Sequence, residues 1–288
     1  MTLNFNKEYL TVTELPNLDK DLTGVCNFLC TKKCSEVCCN GATLITIDEI
    51  KKYYDVFPIY IGFRKYFPLD KEHKIFLKNV GGEIDDYYII GDFIAGNRFK
   101  KTCTALDKDG LCRLHKEEKK PIQCRIVPFC AIYPEELQDV VFEEQRKVKF
   151  ARCEGYAQTA PIAWKDGIFI EPVIRDAFYE FQTGIKKQSP FMKEILLAIY
   201  KEDFFKDFLE GEGILEMPIP IPILFNILEE AGFSDEESIN FIISQAKICL
   251  KELEDEAAEN TVIEDCFAEL NEFAKSYNKF LQTHKNPD

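Results

Sequence analysis

The sequence predicts an α+β protein, with a cysteine-rich metal-binding region of short strands and helices followed by an all-helical region. Three observations carry this expectation. Ten of the twelve cysteines lie within the first 153 residues. Between Val56 and Lys100 the chain is rich in β-favouring aromatic and isoleucine residues. After Glu171 the texture changes to capped runs with apolar residues at helical spacing. The expected division is a cysteine-cluster region over 1–170 and an acidic helical region over 171–288.

Residues 1–25 read as a lead-in broken by Pro16. After the first cysteines, the apolar run Ala42–Thr46 precedes a helix over Ile47–Tyr54. Thr46 with Glu49 three residues later is its capping-box signature. Tyr60, Ile61, Phe63, Tyr66 and Phe67, and then Tyr87–Ile90, predict strands, with a turn at Gly81-Gly82. Val140–Phe142 and Val148–Cys153 read as further strands, although the first could belong to a helix begun at Glu135. Ile162–Trp164 and Ile168–Ile170 flank the turn Lys165-Asp-Gly167 as a hairpin.

In the second half, Ser189-Pro190 predicts a helix start running to Tyr200. Pro218, Pro220 and Pro222 predict a stiff extended connector. A helix to Ala231 stops at Gly232, and Ser234 with Glu237 opens the next. Its apolar face is Ile239, Ile242, Ile243, Ala246, Cys249, Leu250 and Leu253. Thr261 with Glu264 opens a last helix.

The net charge of −14 argues against nucleic acid or an anionic membrane surface as a partner. The charge is uneven. Glu202–Glu272 holds 20 acidic and 3 basic residues, whereas Arg98–Arg125 holds 9 basic and 4 acidic ones. Solvated helix faces account for the acidic end. Cations near thiols favour the thiolate, so the basic segment bears on metal binding. No basic start with an apolar run opens the sequence, and no stretch is long and apolar enough to span a bilayer. The expected location is cytoplasmic, where thiols stay reduced and serve metals or redox chemistry in preference to disulfides.

The cysteines fall into two groups. Cys26, Cys30, Cys34, Cys38 and Cys39 sit within fourteen residues. Cys103, Cys112, Cys124 and Cys130 follow, and then Cys153. The Asp109-Gly110 turn should fold Cys103 and Cys112 toward each other. Two ligand groups far apart in sequence are how a metal pins two loops. Spacings of nine, twelve and six in the second group lack the tight pair that zinc favours. An iron–sulfur cluster is therefore preferred, with zinc as the alternative. Lys32, Lys33, Arg113 and Arg125 could offset the thiolate charge.

The ordered pattern resembles the YkgJ-type cysteine-cluster family. It runs from a cluster ending in Cys38-Cys39, through Cys103-x-x-Leu106-Asp107-x-x-Gly110-x-Cys112-x-x-His115 and Pro121-x-x-Cys124-Arg125-x-x-Pro128-Phe129, to Cys153-x-Gly155. That family is described as a zinc- or iron-chelating domain, and the flagellin lysine-N-methylases belong to the same broad group. The match covers roughly residues 26–157. The first cysteines are more widely spaced than is usual there, and Cys26 and Cys130 are extra. The metal ligands expected are Cys30, Cys34, Cys38, Cys39, Cys103, Cys112, Cys124 and Cys153, with Arg125 and His115 as cofactor-binding residues.

Other residues have plainer readings. Cys249 and Cys266 fit apolar helix faces, as does Trp164 a core. Cys26 and Cys130 are either ligands or buried thiols. His73 and His284 read as surface residues, and Phe28 and Val37 as shields of the site. The alternative function is an S-adenosylmethionine-dependent protein lysine methyltransferase, with a protein as substrate, and it rests on the resemblance. The chain has no glycine-rich strand–turn–helix, and its C-x3-C-x3-C run is one residue off the radical C-x3-C-x2-C triad.

Overall fold

The computed structural model describes residues 24–30, 42–96, 103–109, 112–116, 119–148, 153–211 and 213–259, together with Lys275 and Lys279. The fold is mixed α and β. In chain order, β1 (Val25–Asn27), β2 (Thr43–Ile45) and α1 (Ile47–Tyr53) precede β3 (Ile59–Tyr66), α2 (Lys71–Val80), β4 (Gly82–Ile84) and β5 (Tyr87–Ala95). Short helices α3 (Arg113–Lys116) and α4 (Ile122–Ile126) follow, then α5 (Gln138–Val148) and the hairpin β6 (Ile162–Lys165) and β7 (Ile168–Phe169). The remainder is α6 (Pro172–Ile199), α7 (Asp203–Glu210), β8 (Leu215–Met217), α8 (Ile221–Glu230) and α9 (Asp235–Glu259).

Helix α1 starts as its capping box requires. The Thr46 backbone N–H donates to Glu49 Oε2 at 3.0 Å and the Thr46 hydroxyl to the same oxygen at 3.3 Å. The Ile162–Ile170 hairpin also forms, with Trp164 opposite Phe169 and Lys165 opposite Ile168. Asp166 and Gly167 both have positive φ, 49° and 93°, matching the turn that a two-residue hairpin needs. Trp164 is buried and donates its indole N–H to the Glu135 carbonyl at 2.7 Å.

Several expectations are corrected. The β-like stretch contains a helix, α2, between β3 and β4. Asp70 caps it by accepting the His73 N–H at 2.7 Å, and Leu77 and Val80 bury one face. His73 is a core residue, not a surface one. Its Nδ1 accepts the Leu69 N–H at 3.2 Å, its ring lies 5.2 Å from Tyr133, and burial lowers its pKa to about 4. Val140–Phe142 lies within α5, following the Glu135 alternative. Val148 ends that helix, and Cys153 precedes a one-turn 3-10 helix, so the described ends of Val148–Cys153 are not strand.

Ser189-Pro190 does not begin a helix. It lies inside α6, which opens at Pro172 with the Glu171 side chain accepting from Val173 N–H. An internal proline costs about 3 kcal/mol of helix stability. Burial along both halves of α6 offsets that cost. Ile174, Ala177, Phe178, Phe181 and Ile185 pack into one core, and Met192, Ile195, Leu196 and Ile199 into the other.

The region after 171 is not all-helical. Strand β8 joins the larger sheet, with Ile61 opposite Met217 and Phe63 opposite Leu215. Pro218 and Pro220 then carry the chain to α8, with Pro222 in its first turn. Helix α8 ends as expected, with Gly232 at φ 81°. Helix α9 opens with Ser234 and Glu237 bonded to each other's backbone. On it Ile242, Ala246 and Cys249 are buried, whereas Ile239 is exposed. The Thr261 helix, Cys266, His284, Val37 and the side chains of Leu250 and Leu253 lie outside what is described, as does all but the end of the lead-in.

Among the described residues the strands form two antiparallel sheets, β1-β6-β7 and β2-β5-β3-β8, with β4 also on β5. Strand β3 covers one side of β5 from Tyr88 to Ala95. Strands β4 and β2 share the other side, pairing at Tyr87–Ile89 and Phe93–Ala95. Gln188 of α6 reaches the gap between them, with Nε2 near the Gly91 carbonyl and Asp92 Oδ1 and Oε1 accepting the Ile47 N–H. Asp92 is wholly buried, with the Arg64 guanidinium at 3.5 Å. Burial raises the Asp92 pKa to about 6, against the opposing pull of Arg64. No described helix is long and apolar enough to cross a membrane.

Two expectations follow. A Cβ at Gly184 would fall 2.3 Å from Thr46 Cγ2 and 2.5 Å from its Cβ. Gly184→Ala should therefore lose about 1–3 kcal/mol in denaturant unfolding, although alanine is the better helix former. Asp92 holds its proton more tightly folded than unfolded. Its contribution to stability is thus full below pH 4 and lost as pH rises to about 6. The stability of wild type relative to Asp92→Asn should fall by about 3 kcal/mol across that window and stay level above it.

Candidate metal centre

Cys26, Cys30, Cys103 and Cys112 are free thiols. Four of the five described candidate ligands are linked by contacts that meet on α4 and the chain leading into it. Cys30 follows β1 and is exposed. Its neighbour Leu29 donates its N–H to the Gly155 carbonyl at 3.0 Å, which brings Cys30 alongside the Cys153–Gly155 turn. Gly155 is needed there, because a Cβ would lie 2.8 Å from both the Leu29 carbonyl and the Phe28 ring. Lys120 Nζ lies 3.8 Å from Cys30 Sγ, across ninety residues of sequence.

Cys124 sits on α4, with its sulfur 3.3 Å from the Thr43 hydroxyl at the start of β2. Two contacts hold this segment against α1. The Ile122 N–H donates to Glu49 Oε1 at 2.8 Å, and the Tyr53 hydroxyl donates to the Lys119 carbonyl at 2.8 Å. Glu49 therefore serves the first turns of two helices. Burial raises its pKa, and the hydrogen bonds from Thr46 and Ile122 oppose that shift. Burial also raises the Tyr53 pKa, reinforced by Glu49 and Cys124 and opposed by Arg125.

The segments that carry Cys103 and Cys112 come together, and Gly110 of the expected turn lies outside the described residues. Leu106 and Cys112 form an antiparallel bridge, and the Arg113 N–H donates to the Ala105 carbonyl at 2.9 Å. The Leu106 N–H closes a turn onto the Cys103 carbonyl at 3.1 Å, while the Ala105 N–H donates to Cys103 Sγ at 3.4 Å. Burial raises the Cys103 pKa; the Ala105 N–H and Arg113 act against this and the Cys112 charge adds to it. Leu114 ties this hairpin to the α4 approach by accepting the Lys119 N–H at 2.8 Å.

Arg125 is ion-paired to Glu180 of α6 at 2.7 Å, which is the salt-bridge role open to it alongside cofactor binding. His115 is exposed, and its backbone N–H donates to the Cys112 carbonyl at 3.1 Å. Cys26 is a core thiol opposite Trp164, its pKa raised by burial and by Asp139 and Glu143. Cys130 is half-buried, with its N–H and carbonyl both held by Gln138 at 3.0 and 2.9 Å. Cys249 is buried on α9, as a packing residue would be. Cys34, Cys38 and Cys39 lie outside the described residues. Among the described residues, no three His, Cys, Asp or Glu side chains stand together as a metal-binding group.

Sequence reasoning missed Lys120, Thr43, Tyr53 and the second role of Glu49. The capping box identified Glu49 as a helix former, but its bond to Ile122 spans 73 residues and leaves no local signature. Glu49→Gln keeps one acceptor oxygen where the carboxylate has two, facing three donors. It should cost about 1–3 kcal/mol and speed hydrogen exchange at the Ile122 amide; unchanged exchange there would remove the link between α1 and α4. No family model, curated protein or solved structure matches the chain.

Proposed function

We propose that this chain is a metal-binding cysteine-cluster protein, holding an iron–sulfur cluster, or alternatively zinc, through thiolates from residues 26–39 and 103–153. One observation carries the reading. The stretch that bears Cys34, Cys38 and Cys39 leaves from Cys30 and returns at Ala42–Thr43. Cys30 lies beside Lys120 and Thr43 beside Cys124, so both ends of the stretch sit against α4 and its approach.

The donor set suits the group. Cys30, Cys103 and Cys112 are free, and none of the five described candidates is fully buried. Thiolates are the ligands shared by iron–sulfur clusters and structural zinc. Lys120 and Arg125 bring positive charge to the same segment, which offsets the charge of several thiolates. When bound, the group would cross-link the two cysteine regions and, if iron–sulfur, could accept an electron. Membership of the YkgJ-type family, Arg125 and His115 as cofactor-binding residues, and a cytoplasmic setting belong to this proposal. The methyl-transfer alternative rests on the resemblance alone.

Anaerobic purification tests the proposal. An iron–sulfur protein would be brown, with iron and sulfide in matching amounts, and a zinc protein would be colourless with zinc by elemental analysis. Cys124→Ser and Cys34→Ser should each lower metal content at least tenfold, while Cys249→Ser leaves it unchanged. Metal-free protein from both anaerobic and zinc-supplemented preparations would end the reading.

A further inference from the structure

We propose that Cys103 and Cys112 form a redox-active dithiol, oxidised to a disulfide by hydrogen peroxide, and that this oxidation withdraws two ligands from the centre. The second half of the proposal rests on the metal reading; the first does not.

The local backbone carries the argument. Leu106 is the common neighbour of both cysteines. Cys103 lies three residues before it in a hydrogen-bonded turn, and Cys112 lies directly opposite it in the antiparallel bridge. Turn and bridge geometry each keep the paired Cα atoms within roughly 7 Å. Ala105 fixes the arrangement from both sides. Its N–H holds the Cys103 sulfur at 3.4 Å, and its carbonyl accepts the N–H of the residue after Cys112 at 2.9 Å. Both thiols are partly exposed and packed against the larger core, so peroxide can reach them while the hairpin stays anchored. Cys124 and Cys30 have different immediate neighbours, Thr43 and Lys120.

The chemistry balances. One sulfur, as thiolate, attacks a peroxide oxygen; the O–O bond breaks, a sulfenic acid forms, and the leaving hydroxide takes the thiol proton as water. The second sulfur then attacks the sulfenic sulfur, forming the S–S bond and releasing a second water. Two thiols are oxidised and one peroxide is reduced.

The sequence provides a clean readout, because tryptic cleavage at Lys108 separates Cys103, in 102–108, from Cys112, in 109–113. Full-length protein loaded with zinc is titrated with hydrogen peroxide, alkylated and digested, while a chromogenic chelator reports released zinc. Linked 102–108 and 109–113 peptides should accumulate in step with released zinc, and Cys112→Ser should abolish the linkage. Linkage of either cysteine to Cys30, Cys124 or Cys153, or its oxidation only to sulfinic or sulfonic acid, overturns the dithiol. Linkage in a protein that never retains zinc or iron keeps the dithiol, overturns its control of a centre, and marks the failure as that of the metal reading.

Discussion

The buried carboxylate of Glu49 is the constraint on which the rest of the architecture turns. One oxygen takes the amide and hydroxyl of Thr46, and the other takes the amide of Ile122. A helix start leaves N–H groups without partners, and burial makes each of them expensive. Here two helix starts are brought to one acceptor. The end of β2, the start of α1 and the start of α4 are thereby fixed within one side chain's reach. Thr43, which meets Cys124, and Cys124 itself lie on either side of that junction.

Helix α6 works on a larger scale. At about 1.5 Å per residue its 28 residues span roughly 42 Å, enough to run through both cores. Its close approach at Gly184 sets it directly on Thr46, and Gln188, one turn later, reaches Ile47 and Asp92. Residues 171 onward are thus packed into the same core as α1 and the larger sheet. Met192, Leu224 and Phe241 share that core with Ile61 and Phe63. The change of texture at 171 is real in sequence, and the packing runs across it.

What was legible in the sequence was local chemistry. The Thr46–Glu49 and Ser234–Glu237 boxes, the Asp-Gly turn at 166–167 and the Gly232 stop each involve residues within a few positions of one another, and each formed. The failures share a different cause. Helix α2 was hidden because the aromatic strands on either side set the apparent period. Ser189-Pro190 carried the chemistry of a helix start, yet two cores hold α6 continuous through it. Three residues, Leu215–Met217, became strand because β3 offered an edge, which no window of sequence reveals. In the candidate centre, the approach of the Cys103 and Cys112 segments was readable from their short separation in sequence. Lys120 beside Cys30 was not, because that contact spans ninety residues.

The same division between local and long-range order separates the candidate ligands from the elements that support them. The described candidate ligands lie at turns, short helices and strand ends, positions that tolerate varied backbone geometry. Behind them stand α1, β2 and β5, whose buried residues fix the supporting backbone. The chain is acidic overall, yet among the described residues Lys120 lies against Cys30 and the Arg113 charge acts on Cys103. Gathering thiolates in an acidic protein costs Coulomb energy unless positive charge is local, since screening leaves distant charges with little say. The basic bias of 98–125 would meet that requirement for the proposed centre within the segment that carries Cys103, Cys112 and Cys124.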